Sequence, residues 1–264
     1  AHVKELGIVD AWTSYKNTSG FHTGKDNIKD AQFFSYFKKQ VIGKKITGAK
    51  RRAKNILINL NDGSIILIHL KMTGHLMYGI YDFDKKDSKD PWKGVSPVAL
   101  KDPFNRHIRF VLTLSNKKYL ALSDMRRFAK VTYIQKDEVE KTLHLKDIGP
   151  EPLDRSFSNT IFVERLRLRP NTKIKQVLLE PKIIAGIGNI YSDEILWRAG
   201  IHPERKVHDI TDKEFKLMFK ATQETLQKGI DFGGDSMSDY RNILGERGKF
   251  QEKHEAYRRK VLPC

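Results

Sequence analysis

An α+β fold is predicted, with a β-rich first part and a helical second part, and three observations carry it. Apolar residues alternate with a period of two in segments between Lys45 and Leu122. They recur at helical spacing after Asn159, and Gly149-Pro150-Glu151-Pro152-Leu153 interrupts the pattern between the two parts. The 264 residues suffice for one large domain or two small ones with a buried core.

Residues 1–9 read as a strand, and the stretch from Asn17 to Asn27, rich in Asn, Thr and Gly, reads as a loop. Asp30 stands before Phe33, Phe34 and Phe37, a spacing that fits a short amphipathic helix capped by Asp30 and ended by Gly43. Ile56, Ile58 and Leu60 then alternate with Leu57 and Asn59, Asn61-Asp62-Gly63 signals a hairpin turn, and residues 64–70 form the return strand. A second hairpin turns at Ser115-Asn116, between 108–114 and 119–122. The polar stretch from Asp82 to Pro103 contains Pro91, Pro97 and Pro103 and reads as a long surface loop. Residues 1–135 are therefore expected to form two packed sheets with a helix. A linker over 136–153 follows. Helical periodicity over 159–168, 174–179, 192–198 and 212–228 makes 154–248 a helical domain, and 249–264 is a polar, basic end.

The formal net charge is +17, which favours a polyanionic partner, either nucleic acid or an anionic membrane surface. No apolar run reaches the roughly 18 residues needed to span a bilayer, and no N-terminal signal pattern is present, so a soluble, intracellular protein is expected. The single cysteine, Cys264, excludes an internal disulfide and fits a reducing compartment.

The stretch Ile184-Ala185-Gly186-Ile187-Gly188-Asn189-Ile190-Tyr191 places two glycines, two residues apart, before a helical pattern. Such a turn can aim backbone amides at an anion, and it can equally start a helix with no ligand. Its neighbours are basic: Arg165, Arg167, Arg169, Lys173 and Lys175 precede it, and His202, Arg205 and Lys206 follow. A phosphate-sized turn in that setting suits a nucleic-acid backbone.

The run from Lys173-Ile174-Lys175-Gln176 through this turn to Arg198-Ala199-Gly200-Ile201-His202-Pro203 resembles the helix-two-turn-helix of the formamidopyrimidine-DNA glycosylase family, base-excision-repair enzymes related to endonuclease VIII. The resemblance covers the chain from about Lys45 to Cys264. It implies an N-terminal two-sheet β-sandwich, a helix-two-turn-helix domain and the start of a C-terminal zinc ribbon. It also implies a monomeric, cytoplasmic, bacterial-type, nucleoid-associated protein acting on double-stranded DNA that contains oxidised bases or abasic sites.

Site residues follow from the same resemblance. Lys50-Arg51-Arg52-Ala53-Lys54, otherwise a charged edge at the start of a strand, matches a hairpin whose lysine enters the active site, which makes Lys54 catalytic. Met72, otherwise core packing, matches the first of three side chains inserted where a base has been everted; Asp124-Met125-Arg126-Arg127-Phe128 supplies the other two, Arg126 and Phe128. Met125 stands where the family usually has proline, and Ala129 where it has glycine. Arg106-His107-Ile108-Arg109 occupies the place of a Lys-His-x-His run, so His107 becomes a DNA contact in place of a structural hydrogen-bonding residue. Asn171, Lys175 and Asn189 fall at phosphate-binding positions, Asn171 where relatives often have lysine. Tyr240 ends Asp235-Ser236-Met237-Ser238-Asp239-Tyr240, which resembles a loop that closes over an everted oxidised purine and is otherwise a Gly-flanked connection.

Two departures bear on activity. The family's N-terminal proline, whose amine attacks the damaged nucleotide, has no counterpart at Ala1, and Cys264 stands as the first of four zinc ligands with the chain ending on it. The resemblance therefore implies a fragment, cut at both ends and itself inactive, of a zinc-containing glycosylase and AP lyase that removes formamidopyrimidine and 8-oxoguanine and cleaves the strand by β,δ-elimination. A natural, non-catalytic binder of damaged or abasic DNA is the alternative. An RNA-binding reading, from a similar Gly-Ile-Gly turn in a ribosomal protein, leaves Met72, Arg126 and Phe128 without a use.

Overall fold

The computed structural model describes residues 3–8, 27–142, 144–237 and 239–259. Nine strands and five α-helices run in the order β1 (Val3–Ile8), α1 (Ala31–Val41), β2 (Ile46–Arg52), β3 (Asn55–Leu60), β4 (Ile65–His69), β5 (Gly74–Phe83), β6 (Trp92–Ser96), β7 (Ile108–Leu114), β8 (Tyr119–Asp124), β9 (Lys130–Ile134), α2 (Asn159–Arg167), α3 (Ile174–Leu178), α4 (Asn189–Ala199) and α5 (Asp212–Asp231) among the described residues. The chain divides into two compact units. The first holds residues 1–51, 55–142 and 236–248, and the second holds 52–54, 143–235 and 249–264. Residues 236–248 thus leave the helical part, where the sequence placed them, and return to the β-rich unit.

In the first unit one sheet has the order β1-β7-β8-β5-β6 and the other β2-β3-β4-β9. Phe110, Leu112, Leu120 and Leu122 of the first sheet join Ile58, Ile66 and Ile68 of the second in one core, closed by Phe37 and Val41 of α1. The helix starts as the sequence predicts: Asp30 Oδ1 accepts the Phe33 amide at 2.8 Å, and the chain leaves past Gly43 at φ 85°. The hairpin between β3 and β4 turns through Gly63 at φ 86°.

The expected loop over 82–103 is corrected by the structure. It contains β6, which extends β5 by antiparallel pairing from Ile80↔Ser96 to Phe83↔Trp92, followed by 3₁₀ turns at Val98–Lys101 and Pro103–Asn105. Leu100 is drawn into a second, smaller core with Met77, Tyr81, Ile108, Val111 and Ala121 on the other face of the sheet. The edge strand is short and half-exposed, so it carries no alternation to read.

In the second unit, α2 to α5 surround a core of Phe162, Leu166, Ile174, Val177, Ile195 and Phe215. α5 opens on a full capping box, in which Thr211 and Glu214 each satisfy the other's backbone amide. α4 ends on Gly200 at φ 67°, whose amide and that of Ile201 return to the last turn. No described helix is long and apolar enough to cross a membrane.

Candidate nucleic-acid interface

Two groups of side chains form, one in each unit. In the first unit, β5 and β8 pair with Gly74 opposite Asp124, so the turn entering β5 and the turn leaving β8 emerge side by side. Met72 caps the first turn and is 67 % exposed; Phe128, on the second, is 46 % exposed. The Arg126 guanidinium lies 4.8 Å from the centre of the Phe128 ring, and its Nη1 lies 3.5 Å from Met72 Sδ. The three residues that the sequence nominates from two distant segments thus form one exposed cluster, with Met125 also exposed beside it. Leaving such side chains in water forfeits about 1.5–3 kcal/mol each relative to burial, a cost that a base stack would relieve.

The framework under this cluster is polar and buried. Asp124 is fully buried; it accepts the Thr73 hydroxyl on one carboxylate oxygen and the Ala129 amide, at 2.7 Å, on the other. Its backbone carbonyl accepts Arg109 Nε at 3.1 Å, and its amide donates to His107 O at 2.9 Å. His107 therefore sits at the foot of the second turn. Burial, and then the charges of Arg109 and Arg106, hold its half-buried ring below the ordinary histidine value. Tyr240, on the 236–248 segment, lines an open cavity of about 510 Å³ with Ile46, Ile56, Leu70 and Ile243; burial pushes its hydroxyl up.

Lys29 Nζ donates to Arg127 O at 2.5 Å, and Arg127 itself holds a left-handed φ of 60° between Arg126 and Phe128. Burial, reinforced by Lys130 and Lys71 and opposed by Asp124, lowers the Lys29 pKa to about 8. The folded amine releases its proton near pH 8 and the unfolded one near 10.5, so the unfolded state binds more protons in that window and stability rises with pH across it. Lys29→Met should remove that rise. In urea denaturation, the stability of the variant relative to the parent should be greatest below pH 8 and fall toward pH 10.5. Parallel profiles would show that Lys29 titrates normally.

In the second unit, the turn between β2 and β3 replaces the expected strand start. Ala53 adopts φ 51°, a left-handed conformation that alanine does not advertise, and its amide donates to Glu151 Oε1 at 2.6 Å. Arg52 adds a 3.0 Å bond to Glu151 and bonds of 2.7 and 2.8 Å to the carbonyls of Ile148 and Gly149. The exposed Lys54 then reaches the glycine turn: Nζ donates to Ile187 O at 3.0 Å, and a Cβ on Gly188 would lie 3.2 Å from it. Gly186 has φ 84°, and Gly188 begins α4 with no side chain to cap it, leaving the positive end of the helix beside a lysine. Asn189 is exposed at the first helical position.

Lys175, on α3, is half-buried and paired with Asp193 of α4 at 2.5 Å. Asn171 is exposed in the connection between α2 and α3. Lys54 and Asn189 are therefore brought to one turn, and Lys175 is tied to the same helix through Asp193. Sequence reading missed Thr73, Asp124, Glu151 and Glu194. The one available signal is chemical: Glu194 is an acid on the apolar face of α4, beside Ile195 and Leu196.

Among the described residues no three His, Cys, Asp or Glu side chains are grouped to hold a metal, and Cys264 lies outside them, as does Ala1. The described donors do not make up the implied zinc site.

A β-sandwich with an exposed aromatic and cationic insert, together with a helix-two-turn-helix unit whose glycine turn is flanked by lysine, defines a DNA-binding repair class. The model described as Formamidopyrimidine-DNA glycosylase N-terminal domain matches residues 17–131, and that described as Formamidopyrimidine-DNA glycosylase H2TH domain matches 148–241. A formamidopyrimidine-DNA glycosylase of Pelotomaculum thermopropionicum is 35 % identical over 230 residues, 87 % of this chain and 76 % of the relative. The Bacillus subtilis protein of that name is 33 % identical over 228 residues, 86 % and 75 % of the two chains. Among solved structures, the Lactococcus lactis Fpg complex with DNA containing an abasic site is similar at a TM-score of 0.72 and 28 % identity, over 96 % of this chain and 79 % of that one. A complex of a mutant of the same organism's Fpg with Fapy-dG-containing DNA has a TM-score of 0.68 and 32 % identity, over 84 % and 73 %. The chain belongs to the formamidopyrimidine-DNA glycosylase family.

Proposed function

We propose that this chain supplies the DNA clamp, the void-filling side chains and Lys54 of a base-excision-repair DNA glycosylase and AP lyase directed at oxidised purines, engaging double-stranded DNA at formamidopyrimidine, 8-oxoguanine or abasic nucleotides. The observation that supports it is the exposed Met72–Arg126–Phe128 cluster, a set of side chains suited to the gap left by an everted base. Arg126 faces the orphaned partner base and Phe128 wedges the stack. His107, Asn171, Lys175 and Asn189 hold the backbone, and Tyr240 belongs to the segment that covers the everted base. Lys54 binds phosphate at the glycine turn and moves a proton during strand cleavage. A non-catalytic binder of the same DNA is the second reading, favoured by the bond that Lys54 Nζ makes to the Ile187 carbonyl, which suits a phosphate clamp at the glycine turn without proton transfer.

Binding to matched duplexes with and without an abasic site tests both. The chain should prefer the abasic duplex, and Met72→Ala and Phe128→Ala should each cut that preference about tenfold, in line with the ~1–3 kcal/mol that a stacked aromatic contributes. Affinity for intact duplex should barely change. A preference for RNA, or an unchanged ratio in both variants, would overturn the assignment. In an intact version of the protein, base release and strand cleavage from a formamidopyrimidine duplex then separate the enzyme from the binder, and Lys54→Ala should weaken catalysis more than binding.

A further inference from the structure

We propose that Thr73 and Asp124 act as positioning residues, a hydroxyl–carboxylate clamp that makes the Met72 turn and the Arg126–Phe128 turn one rigid insert; this rests on the void-filling reading above. The two turns are 51 residues apart in sequence, and neither contains a regular element of its own. Thr73 is 4 % exposed and is the point where they meet. Its hydroxyl donates to Asp124 Oδ1, at the end of β8, and the same hydroxyl oxygen accepts the Arg126 amide at 3.1 Å. Asp124 Oδ2 accepts the Ala129 amide at 2.7 Å, so one carboxylate spans both ends of the turn that carries Arg126 and Phe128.

A buried carboxylate is costly unless its oxygens are satisfied, and here the satisfaction depends on both turns at once. Arg127 needs such support, because its φ of 60° is unfavourable for an arginine and fixes the directions of Arg126 and Phe128 on either side. Lys29 adds a third tie through Arg127 O. The insert must displace stacked bases, and a loose insert would lose entropy on entering the duplex that a clamped one has already given up. The clamp therefore acts on discrimination between damaged and intact DNA more than on folding.

The test is Thr73→Val, which keeps the shape and removes the oxygen, beside Thr73→Ser, which keeps the oxygen. Thr73→Val should lower the abasic-to-intact binding ratio about tenfold, while Thr73→Ser should retain it and affinity for intact duplex should stay within about twofold for both. If Met72→Ala and Phe128→Ala lose the preference and Thr73→Val keeps it, the clamp is wrong. If none of the three changes the ratio, the void-filling reading falls instead. Should Thr73→Val not fold, amide hydrogen exchange of the parent protein decides: Arg126 and Ala129 should be protected, and exchange at the rate of open turn amides would overturn the proposal.

Discussion

Glu194→Ala should lower the unfolding free energy of the helical unit by about 3 kcal/mol, because it strips the acceptors from three half-buried amides in succession. Glu194 is 1 % exposed on α4. Its Oε2 accepts the Glu255 amide at 2.7 Å, and its Oε1 accepts those of Ala256 and Tyr257 at 3.1 and 2.9 Å. The carboxylate thus fills a concave run of N–H groups and ties residues 255–257 to the helix. Arg198, one turn on, closes the same segment through a 3.0 Å contact with Glu255. Alanine would leave the amides to whatever water can enter, whereas Glu194→Gln keeps one acceptor and turns a donor toward the others. The expected order of stability in chemical denaturation is parent, glutamine, alanine. Amides 255–257 should become fast-exchanging in the alanine variant. A loss below about 1 kcal/mol would mean that the segment is held by its packing alone.

Glu194 also shows where sequence reading stops. The helices of this unit were legible because each has an apolar stripe, and the Asp30 cap and the Asn61–Gly63 turn were legible because their signals are local, a few residues long. The partners of Glu194 are 61 to 63 residues on, in a segment with no periodicity, so the acid on an apolar face marks the position without naming what it binds. Lys54 and Met72 were nominated by resemblance, and their surroundings were not. Nothing in Ala53 announces a left-handed turn, so the cations of 50–54 looked like a strand start. β6 escaped because a half-exposed edge strand beside prolines has the composition of a loop. The Thr73–Asp124 bond joins residues that look ordinary alone, since a threonine after a methionine and an aspartate at a strand end are common surface residues.

Gly74→Ala should cost about 3 kcal/mol and abolish most of the preference for abasic DNA, coupling the two losses that Thr73→Val separates. Gly74 opens β5 directly after the Met72 turn, and its amide donates to Leu70 O at 3.1 Å, closing the turn. A Cβ there would fall inside the van der Waals radius of Leu70 O, lie 3.1 Å from Leu70 C and press on Ala129 Cβ at 3.2 Å. None of these atoms is the end of a flexible side chain. Relief requires the backbone of the Met72 turn to move away from β5, or the strand to slip from its Gly74↔Asp124 register. Either movement pulls Thr73 from Asp124 and turns Met72 away from Arg126. The variant should therefore unfold at lower urea and also bind abasic and intact duplexes almost alike. A stable protein with its discrimination intact would mean that the turn relaxes without displacing Met72, and that the glycine serves only the strand.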